Sequence, residues 1–229
     1  MIYRFLIITL FLTSTAIGSE KSWFPGCPAT IKNSYECAQY LEKDILKKYA
    51  DMASRDANSL TVKIASGATA TFIDVTAETV QRKKYSLVDV LQDIGYALVH
   101  VQYWESKTYY LVNLQTGQIE DIEGRPVISP SNMFLVSTNF AGVSGESDPV
   151  IKIYKLSKPH LVLDWSLKPH WEPSDPKWIS DAELSLVQNV FSEKLLMDKN
   201  VEGPYIKENV RIDYSKGQWR LVDKPARRN

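Results

Sequence analysis

The chain has 229 residues, of which 44% are hydrophobic, a composition typical of a globular protein. Lysine and arginine together number 27 and are balanced by 27 aspartates and glutamates, so the formal net charge is zero. Proteins that wrap nucleic acid usually carry a basic excess, so this balance argues against a nucleic-acid partner.

The N-terminus has the three parts of an export signal. Met1–Arg4 supplies a positive start, Phe5–Leu12 an apolar run, and Ala16–Gly18 a small-x-small cleavage site. These parts predict a signal peptide over 1–18 and a soluble mature protein that is periplasmic or secreted. The apolar run is shorter than the roughly 20 residues that span a bilayer, and no later segment approaches that length, so no transmembrane anchor is expected.

Cys27 and Cys37 are the only cysteines of the chain. In an oxidising compartment, an even pair this close in sequence is expected to form a disulfide. The alternative is a metal or redox pair, but the spacing fits neither a Cys-x-x-Cys redox motif nor a compact zinc knuckle. The sequence therefore predicts a structural disulfide near the start of the mature protein.

A helix is predicted beside this disulfide. Asn33 or Ser34 can cap its N-terminus, and Glu36 lies in its first turn. Apolar residues then recur at spacings of three and four, which places them on one face of a helix of about five turns: Ala38, Leu41, Ile45, Tyr49 and Met52. The disulfide and the helix define an N-terminal segment, 19–56, that is expected to pack as a lid on a β domain, 57–229.

From residue 59 onward the hydrophobic period becomes strand-like. Short alternating segments are separated by glycine, proline, serine and asparagine turns, which is typical of an antiparallel all-β fold. The predicted strands are 60–64, 69–75, 96–104, 107–114, 118–122, a strand at Val127, 133–138, 150–156, 161–167, 183–190, 210–214 and 218–222. Segment 85–94 is predicted as a short helix or an irregular piece. The expected fold is mostly β, an antiparallel β-meander or a small propeller-like body with an N-terminal α-helix pinned by a disulfide.

A repeat runs beneath these strands. Leu114 and Leu156 are 42 positions apart, and Pro130 and Pro173 are 43 positions apart. Periods of about 40–45 residues with several strands each are typical of propeller blades, which must stack to cover their apolar faces. The sequence therefore predicts strand units that pack on one another.

The repeated segment also resembles a known family. Tyr110–Val136 holds a strand, a Thr-Gly turn, a second strand, the pattern x-Pro-x-x-Ser-Pro-Ser and a third strand. Over residues 110–185 this arrangement resembles the repeats of TolB-type β-propellers. That family commonly has Ser-Pro-Asp-Gly in the turn, whereas this chain has Ser-Pro-Ser-Asn at 129–132 and Glu-Pro-Ser-Asp at 172–175. The resemblance implies only an architecture, four compact blades or a curled meander; a β-sandwich with two similar hairpins is the alternative.

Residues with catalytic or metal-binding chemistry form no recognisable motif. His100 lies in an alternating strand, where a core or sheet-face position is expected, and His160 and His170 flank a strand without metal-ligand spacing. The string Gly142–Gly145 lacks the Gly-x-Ser-x-Gly spacing of a nucleophile elbow and is expected to form a hairpin loop. The sequence therefore leads us to expect no metal and no cofactor, and it favours a protein that is not an enzyme.

Aromatic residues are the remaining signal. They concentrate in two groups, one at a hairpin and one in the second repeat: Tyr103, Trp104, Tyr109 and Tyr110, then Trp165, Trp171 and Trp178. Such residues can anchor a partner, stack on sugar rings or fill a core. Successive strand residues point to opposite faces, so one of Tyr103 and Trp104 must face solvent, a neighbouring element or a partner, and the same holds for Tyr109 and Tyr110.

These observations favour an exported, non-enzymatic protein that binds another macromolecule, such as a periplasmic inhibitor or an immunity-type protein. The expected partner is a protein, and the expected contact surface is the hairpin Tyr103–Tyr109 with the loop Gly142–Asp148. The first alternative is a carbohydrate- or cell-envelope-binding module that binds an envelope glycan through Trp165, Trp171 and Trp178. The second is a hydrolase whose site is assembled only by the fold.

Overall fold

The computed structural model describes residues 26–31, 34–77, 79–139, 148–196 and 204–222. The predicted signal peptide 1–18 and loop residues 142–147 lie outside this range. The described segments form an N-terminal helix, a short second helix and four antiparallel sheets. The prediction of a mostly β fold with an N-terminal helix is therefore confirmed.

Helix α1 covers Ser34–Lys48. It ends before the predicted Met52, because the chain turns at Tyr49 and enters strand β1 (Ala53–Asp56). The second helix, α2, covers Glu193–Leu196. Of the two helices in the described segments, neither has the length and hydrophobicity that a membrane span requires.

The predicted disulfide between Cys27 and Cys37 is confirmed. Cys37 is almost completely buried beside Ala38 on the inner face of α1. A crosslink over so short a span stabilises a fold by about 2–3 kcal/mol, mainly by restricting the unfolded chain. It ties the first turn of α1 to the segment that precedes the helix.

The strands form four sheets, and within each sheet strands that follow one another in sequence pair antiparallel. Sheet 1 contains β1, β2 (Ser59–Lys63) and β3 (Thr69–Ile73). Sheet 2 contains β4 (Lys83–Leu91), β5 (Tyr96–Tyr103), β6 (Lys107–Asn113) and β7 (Ile119–Ile122). Sheet 3 contains β8 (Val127–Ile128), β9 (Phe134–Asn139), β10 (Val150–Ser157) and β11 (His160–Leu167). Sheet 4 contains β12 (Glu172–Ser180), β13 (Glu183–Phe191), β14 (Tyr205–Ser215) and β15 (Gln218–Val222).

The sheets stack in chain order through three hydrophobic clusters. Cluster 1 joins sheets 1 and 2 and contains Leu60 and Val99; cluster 2 joins sheets 2 and 3 and contains Leu98 and Leu135. Cluster 3 joins sheets 3 and 4 and contains Leu184. Val99 and Leu98 are adjacent on β5 and point to opposite faces, so sheet 2 is covered on both sides. This explains why β5 is a nearly continuous apolar run rather than an alternating one.

The outer faces of the two end sheets carry polar side chains together with isolated exposed apolar ones, Ile73 on sheet 1 and Phe191 on sheet 4. On sheet 1 the hydroxyls of Thr61 and Thr71 face each other across strands at 3.5 Å. On sheet 4 Arg211 forms salt bridges of 3.4 Å with Glu183 and 3.5 Å with Asp213. Polar side chains on an outer face cap a stack in the way that terminal repeats cap a solenoid. No hydrophobic cluster of the described residues joins sheet 1 to sheet 4, so over this part of the chain the stack is open.

The sequence repeat corresponds in part to equivalent strands. Leu114 directly follows β6, and Leu156 lies in β10. These two strands are the third strands of sheets 2 and 3. Pro130 lies in the turn between β8 and β9, whereas Pro173 lies within β12, so these two prolines are not equivalent. Four stacked sheets are present in place of the two sheets of the β-sandwich alternative. The resemblance to TolB-type repeats stays a prediction.

Three parts of the secondary structure differ from the expectation. Segment 85–94 begins in β4, where a bulge between Leu87 and Asp89 shifts the register against β5 and breaks the alternating pattern. Strand β1 was predicted as part of the helical N-terminal segment. Strand β12 escaped prediction because it contains Pro173 and Pro176 and two register shifts.

Candidate binding surface

A charged network covers the edge of β4 that faces away from β5. Arg55 donates hydrogen bonds of 2.6 and 2.9 Å to the Glu42 carboxylate and lies 3.4 Å from the carboxylate of Asp74. The same side chains also bind the backbone of β4. Asp74 accepts a hydrogen bond of 2.9 Å from the N–H of Tyr85, and Arg55 donates one of 2.5 Å to the carbonyl of Tyr85. Glu42 accepts a hydrogen bond of 2.7 Å from the N–H of Leu87. Unpaired backbone groups on a sheet edge can pair with other strands. The network forms hydrogen bonds with such groups of Tyr85 and Leu87, and it also holds α1 against sheet 2.

The sequence-based prediction did not include this network. Glu42 is 4% exposed and lies within the apolar stripe of α1, between Ala38 and Ile45. A carboxylate within an apolar stripe is a signal of a buried ion pair, since such a group is rarely buried without a partner. The identity of the partner, Arg55, depends on how β1 is placed against the helix.

A basic–aromatic cluster lies where the first turn of α1 meets the end of sheet 2. Its members are Tyr35, Arg82, Lys83, Lys84, Tyr103, Trp104 and Tyr110. Tyr35 comes from α1, the three cations precede or begin β4, Tyr103 ends β5, Trp104 follows β5 directly, and Tyr110 lies on β6. The disulfide and the charged network both hold α1, so they also fix the position of Tyr35.

One side of the cluster is built on the Tyr35 ring. The Lys84 Nζ lies 4.6 Å from the ring centre and donates a hydrogen bond of 3.0 Å to the hydroxyl. The guanidinium carbon of Arg82 lies 5.7 Å from the centre of the same ring and 5.9 Å from that of Trp104. These distances are within the range of cation–π attraction, so the two rings restrict the Arg82 guanidinium.

The other side is built on Lys83. Its Nζ donates a hydrogen bond of 3.0 Å to the Tyr110 hydroxyl and lies 5.3–5.4 Å from the ring centres of Tyr85, Tyr103 and Tyr110. Burial acts to lower the pKa of Lys83, but the hydrogen bonds and the attraction to these tyrosines raise the pKa above its usual value. Burial, together with the hydrogen bond to Tyr110, raises the pKa of Tyr103 to about 12. Near neutral pH Lys83 is therefore a cation and Tyr103 a neutral phenol.

The positive charge of the cluster is not neutralised within the described part of the chain. No salt bridge there includes Arg82, Lys83 or Lys84. Beside these cations Trp104 is 43% exposed, and the nearby turn residue Val80 is 84% exposed. Exposed tryptophan next to arginine is typical of the energetic centre of protein interfaces. The cluster therefore has the composition of a binding surface.

The predicted contact residues at the hairpin divide between this surface and the interior. Tyr103 and Trp104 belong to the basic–aromatic cluster, but Tyr109 is 4% exposed and packs in cluster 2. Tyr109 and Tyr110 do point to opposite faces of β6, and both faces are covered by neighbouring sheets. The stacking of sheet 3 therefore buries Tyr109 and does not favour a contact with a partner, and that contact stays a prediction.

The predicted tryptophan group is largely a core feature. Trp171 and Trp178 are 5% and 8% exposed and fill the space between sheets 3 and 4, so they are not available to a partner. Trp165 is partly buried against the same cluster. The burial of Trp171 and Trp178 does not favour the carbohydrate-binding alternative, which stays a prediction.

A cleft of about 430 Å³ opens between α1 and β1. Glu36 and Glu42 line it, and a carboxylate pair in a cleft is what the hydrolase alternative requires. Both oxygens of Glu42 are engaged, however, because Arg55 donates to each of them and Leu87 N–H donates to Oε1. Glu42 is therefore a structural group rather than a general acid or base.

His100 lies in the core, as its strand position predicted. Its side chain is completely buried, with the ring centre 5.3 Å from that of Tyr109. Burial, assisted by the positive charge of Lys107, lowers the pKa of His100 to about 3. Burial also lowers the pKa of Lys107 to about 8. Among the described residues no group of histidine, cysteine or acidic side chains could hold a metal ion.

The free energy of unfolding is expected to fall on acidification because of His100. In the unfolded chain a histidine binds a proton below about pH 6.5, whereas His100 in the fold remains neutral until about pH 3. The unfolded state therefore binds more protons in this interval, and stability decreases by about 1 kcal/mol per pH unit as the pH is lowered. Denaturant unfolding at a series of pH values measures this slope.

The variant that tests this prediction is His100→Gln. It removes the buried titrating group and should flatten the slope of stability against pH. Parallel curves for the wild type and His100→Gln would contradict the assignment.

Comparison with protein-family models and a search of curated proteins found no match to this chain.

Proposed function

We propose that this chain is an exported, non-catalytic protein that binds a partner protein through the basic–aromatic cluster. The observation that carries the proposal is Trp104, an exposed tryptophan beside Arg82, whose charge is not neutralised within the described part of the chain. The disulfide supports an oxidising compartment, and the leader pattern at 1–18 supports export.

The construction of the surface suits an inhibitor or immunity-type protein, which acts by occupying its target. Tyr35 is held by α1, and α1 is fixed by the disulfide and by the Glu42–Arg55 pair. Arg82 and Trp104 are held by contact with each other and by the sheet. A surface whose side chains are already ordered loses less entropy on binding, which favours affinity.

The test is replacement of Trp104 by alanine. The mature protein, carrying a photoreactive crosslinker, is incubated with an envelope extract of the producing organism, and captured proteins are identified by mass spectrometry. The wild type is expected to capture a defined partner, and Trp104→Ala is expected to bind this partner at least about tenfold more weakly, since a central tryptophan contributes more than 1.4 kcal/mol to such interfaces. Isothermal titration calorimetry with the purified partner measures the difference.

Phe191→Ala is the matched control. Phe191 is 45% exposed on sheet 4, so the substitution removes an aromatic side chain whose exposure is similar to that of Trp104, at the far end of the stack. The affinity of Phe191→Ala for the partner should equal that of the wild type. Equal binding by the wild type and Trp104→Ala would refute the proposed surface.

A further inference from the structure

We infer that the partner presents an acidic segment, with a carboxylate that binds Arg82, a second contact to Lys84 and an apolar residue packed on Trp104. This inference rests on the proposed function and specifies the chemistry of the partner. It is carried by the donor groups of Arg82, by the arrangement of the neighbouring charges and by the apolar surface beside them.

The donor groups of Arg82 are the first step. None of the three guanidinium nitrogens of Arg82 donates a hydrogen bond within the described part of the chain. Of these three nitrogens, only Nε is shielded from solvent. The two terminal nitrogens are therefore accessible. A guanidinium with accessible terminal nitrogens matches the two oxygens of a carboxylate in a planar, bidentate arrangement.

The neighbouring charges are the second step. Arg82 and Lys84 are separated by one residue, so they point to the same side of the chain, and both contact the ring of Tyr35. Two cations beside one ring raise the local positive potential. A negatively charged group that approaches Arg82 is attracted by both cations, and contact with the aromatic rings reduces the mobility that binding would otherwise remove.

The apolar surface is the third step. Trp104 and Val80 are exposed next to Arg82, so the surface mixes a cationic centre with apolar area. Nucleic acids and polyanionic glycans instead favour long basic tracks that neutralise many charges, and the chain has no net charge to supply one. A protein segment that alternates acidic and apolar side chains is complementary to both parts of this surface.

The experiment is an NMR titration of the full mature chain. The probes are a short peptide of alternating glutamate and leucine and its glutamine–leucine counterpart, and the signals are the Arg82 Nε–H and the Trp104 indole N–H. The glutamate peptide is expected to give a saturable shift of both signals that weakens as the salt concentration rises from about 50 to about 300 mM. The glutamine peptide is expected to give a much smaller shift.

Two variants make the titration specific. Arg82→Gln should reduce the affinity for the glutamate peptide about tenfold, because it removes the bidentate charged contact. Lys207→Gln, which removes an exposed lysine on sheet 4, should leave the affinity unchanged. Equal binding of the two peptides, or equal binding by the wild type and Arg82→Gln, would overturn the inference. So would binding to phosphatidylglycerol vesicles or polygalacturonate without any shift from the glutamate peptide.

Failure of this inference can be separated from failure of the proposed function. If the partner captured from the envelope is lost in Trp104→Ala but retained in Arg82→Gln with no salt dependence, the surface binds a partner that is not acidic. In that case the proposed function stands and the acidic segment is rejected. If neither variant affects the captured partner, both are rejected.

Discussion

Glu42→Ala is expected to lower the free energy of unfolding by about 3 kcal/mol, because it leaves the largely buried guanidinium of Arg55 without its closest carboxylate and with only Asp74 at 3.4 Å. The variant also removes the acceptor for the N–H of Leu87, which lies on the open edge of β4. Chemical denaturation monitored by circular dichroism measures the loss. Asp44→Ala is the control on the same helix, since Asp44 forms only an exposed pair with Lys47 and should change stability by no more than about 0.5 kcal/mol.

A double-mutant cycle separates the ion pair from the rest of the network. Arg55→Met alone leaves Glu42 buried without its cation, and it should cost a similar amount to Glu42→Ala. The double variant should cost clearly less than the sum of the two single variants, because neither Glu42 nor Arg55 then remains without the other, while the loss of Arg55 from Asp74 is common to Arg55→Met and the double variant. Single variants that each cost less than about 1 kcal/mol would show that the network is not a determinant of stability.

Trp178→Ala is expected to destabilise the fold by about 3–5 kcal/mol. Trp178 is 8% exposed, its ring centre lies 5.6 Å from that of Trp219, and its Nε1 donates a hydrogen bond of 2.9 Å to the carbonyl of Val127. The substitution therefore removes a large part of cluster 3 and the hydrogen bond from the indole to Val127. Thermal or denaturant unfolding of the purified variant provides the measurement.

Two further variants show whether the loss of stability in Trp178→Ala comes from core packing. Trp178→Phe retains most of the packing and should cost less than the alanine variant. Phe191→Ala, at an exposed site on the same sheet, should change stability by less than about 1 kcal/mol. If Trp178→Ala unfolded like the wild type and instead lost binding to an envelope glycan, the carbohydrate-binding alternative would be supported.

The positions of most strands along the chain could be predicted from the sequence, because the exposed faces of sheets 1 and 4 keep a period of two, whereas the order of the strands within the sheets could not. Prediction was weakest at β4, where both faces are covered and a bulge follows Leu87, so apolar residues no longer alternate. Strand β12 was hidden for a different reason. Its two prolines remove backbone donors, and the irregular strand is held by pairing with β13 and by packing against sheet 3, which no local pattern encodes.

The candidate surface could be predicted only in part. Aromatic residues at the end of β5 indicated Tyr103 and Trp104, since adjacent strand residues cannot share one face. The approach of Tyr35 to Arg82 depends on the packing of α1 against β4, and no local pattern encodes it. The same limitation applies to Trp171 and Trp178, because a tryptophan that fills a gap between sheets has the same local sequence signal as one that is exposed.

The open stack means that each sheet is stabilised only by its immediate neighbours. In such a nearest-neighbour system local unfolding begins at an end and proceeds inward, and damage at one end need not reach the other. Cluster 3 lies between sheets 3 and 4, whereas Arg82 lies beside sheet 2, so sheet 4 can open locally while the Arg82 surface keeps its structure. The proposed binding surface therefore does not depend on the packing of sheet 4 against sheet 3.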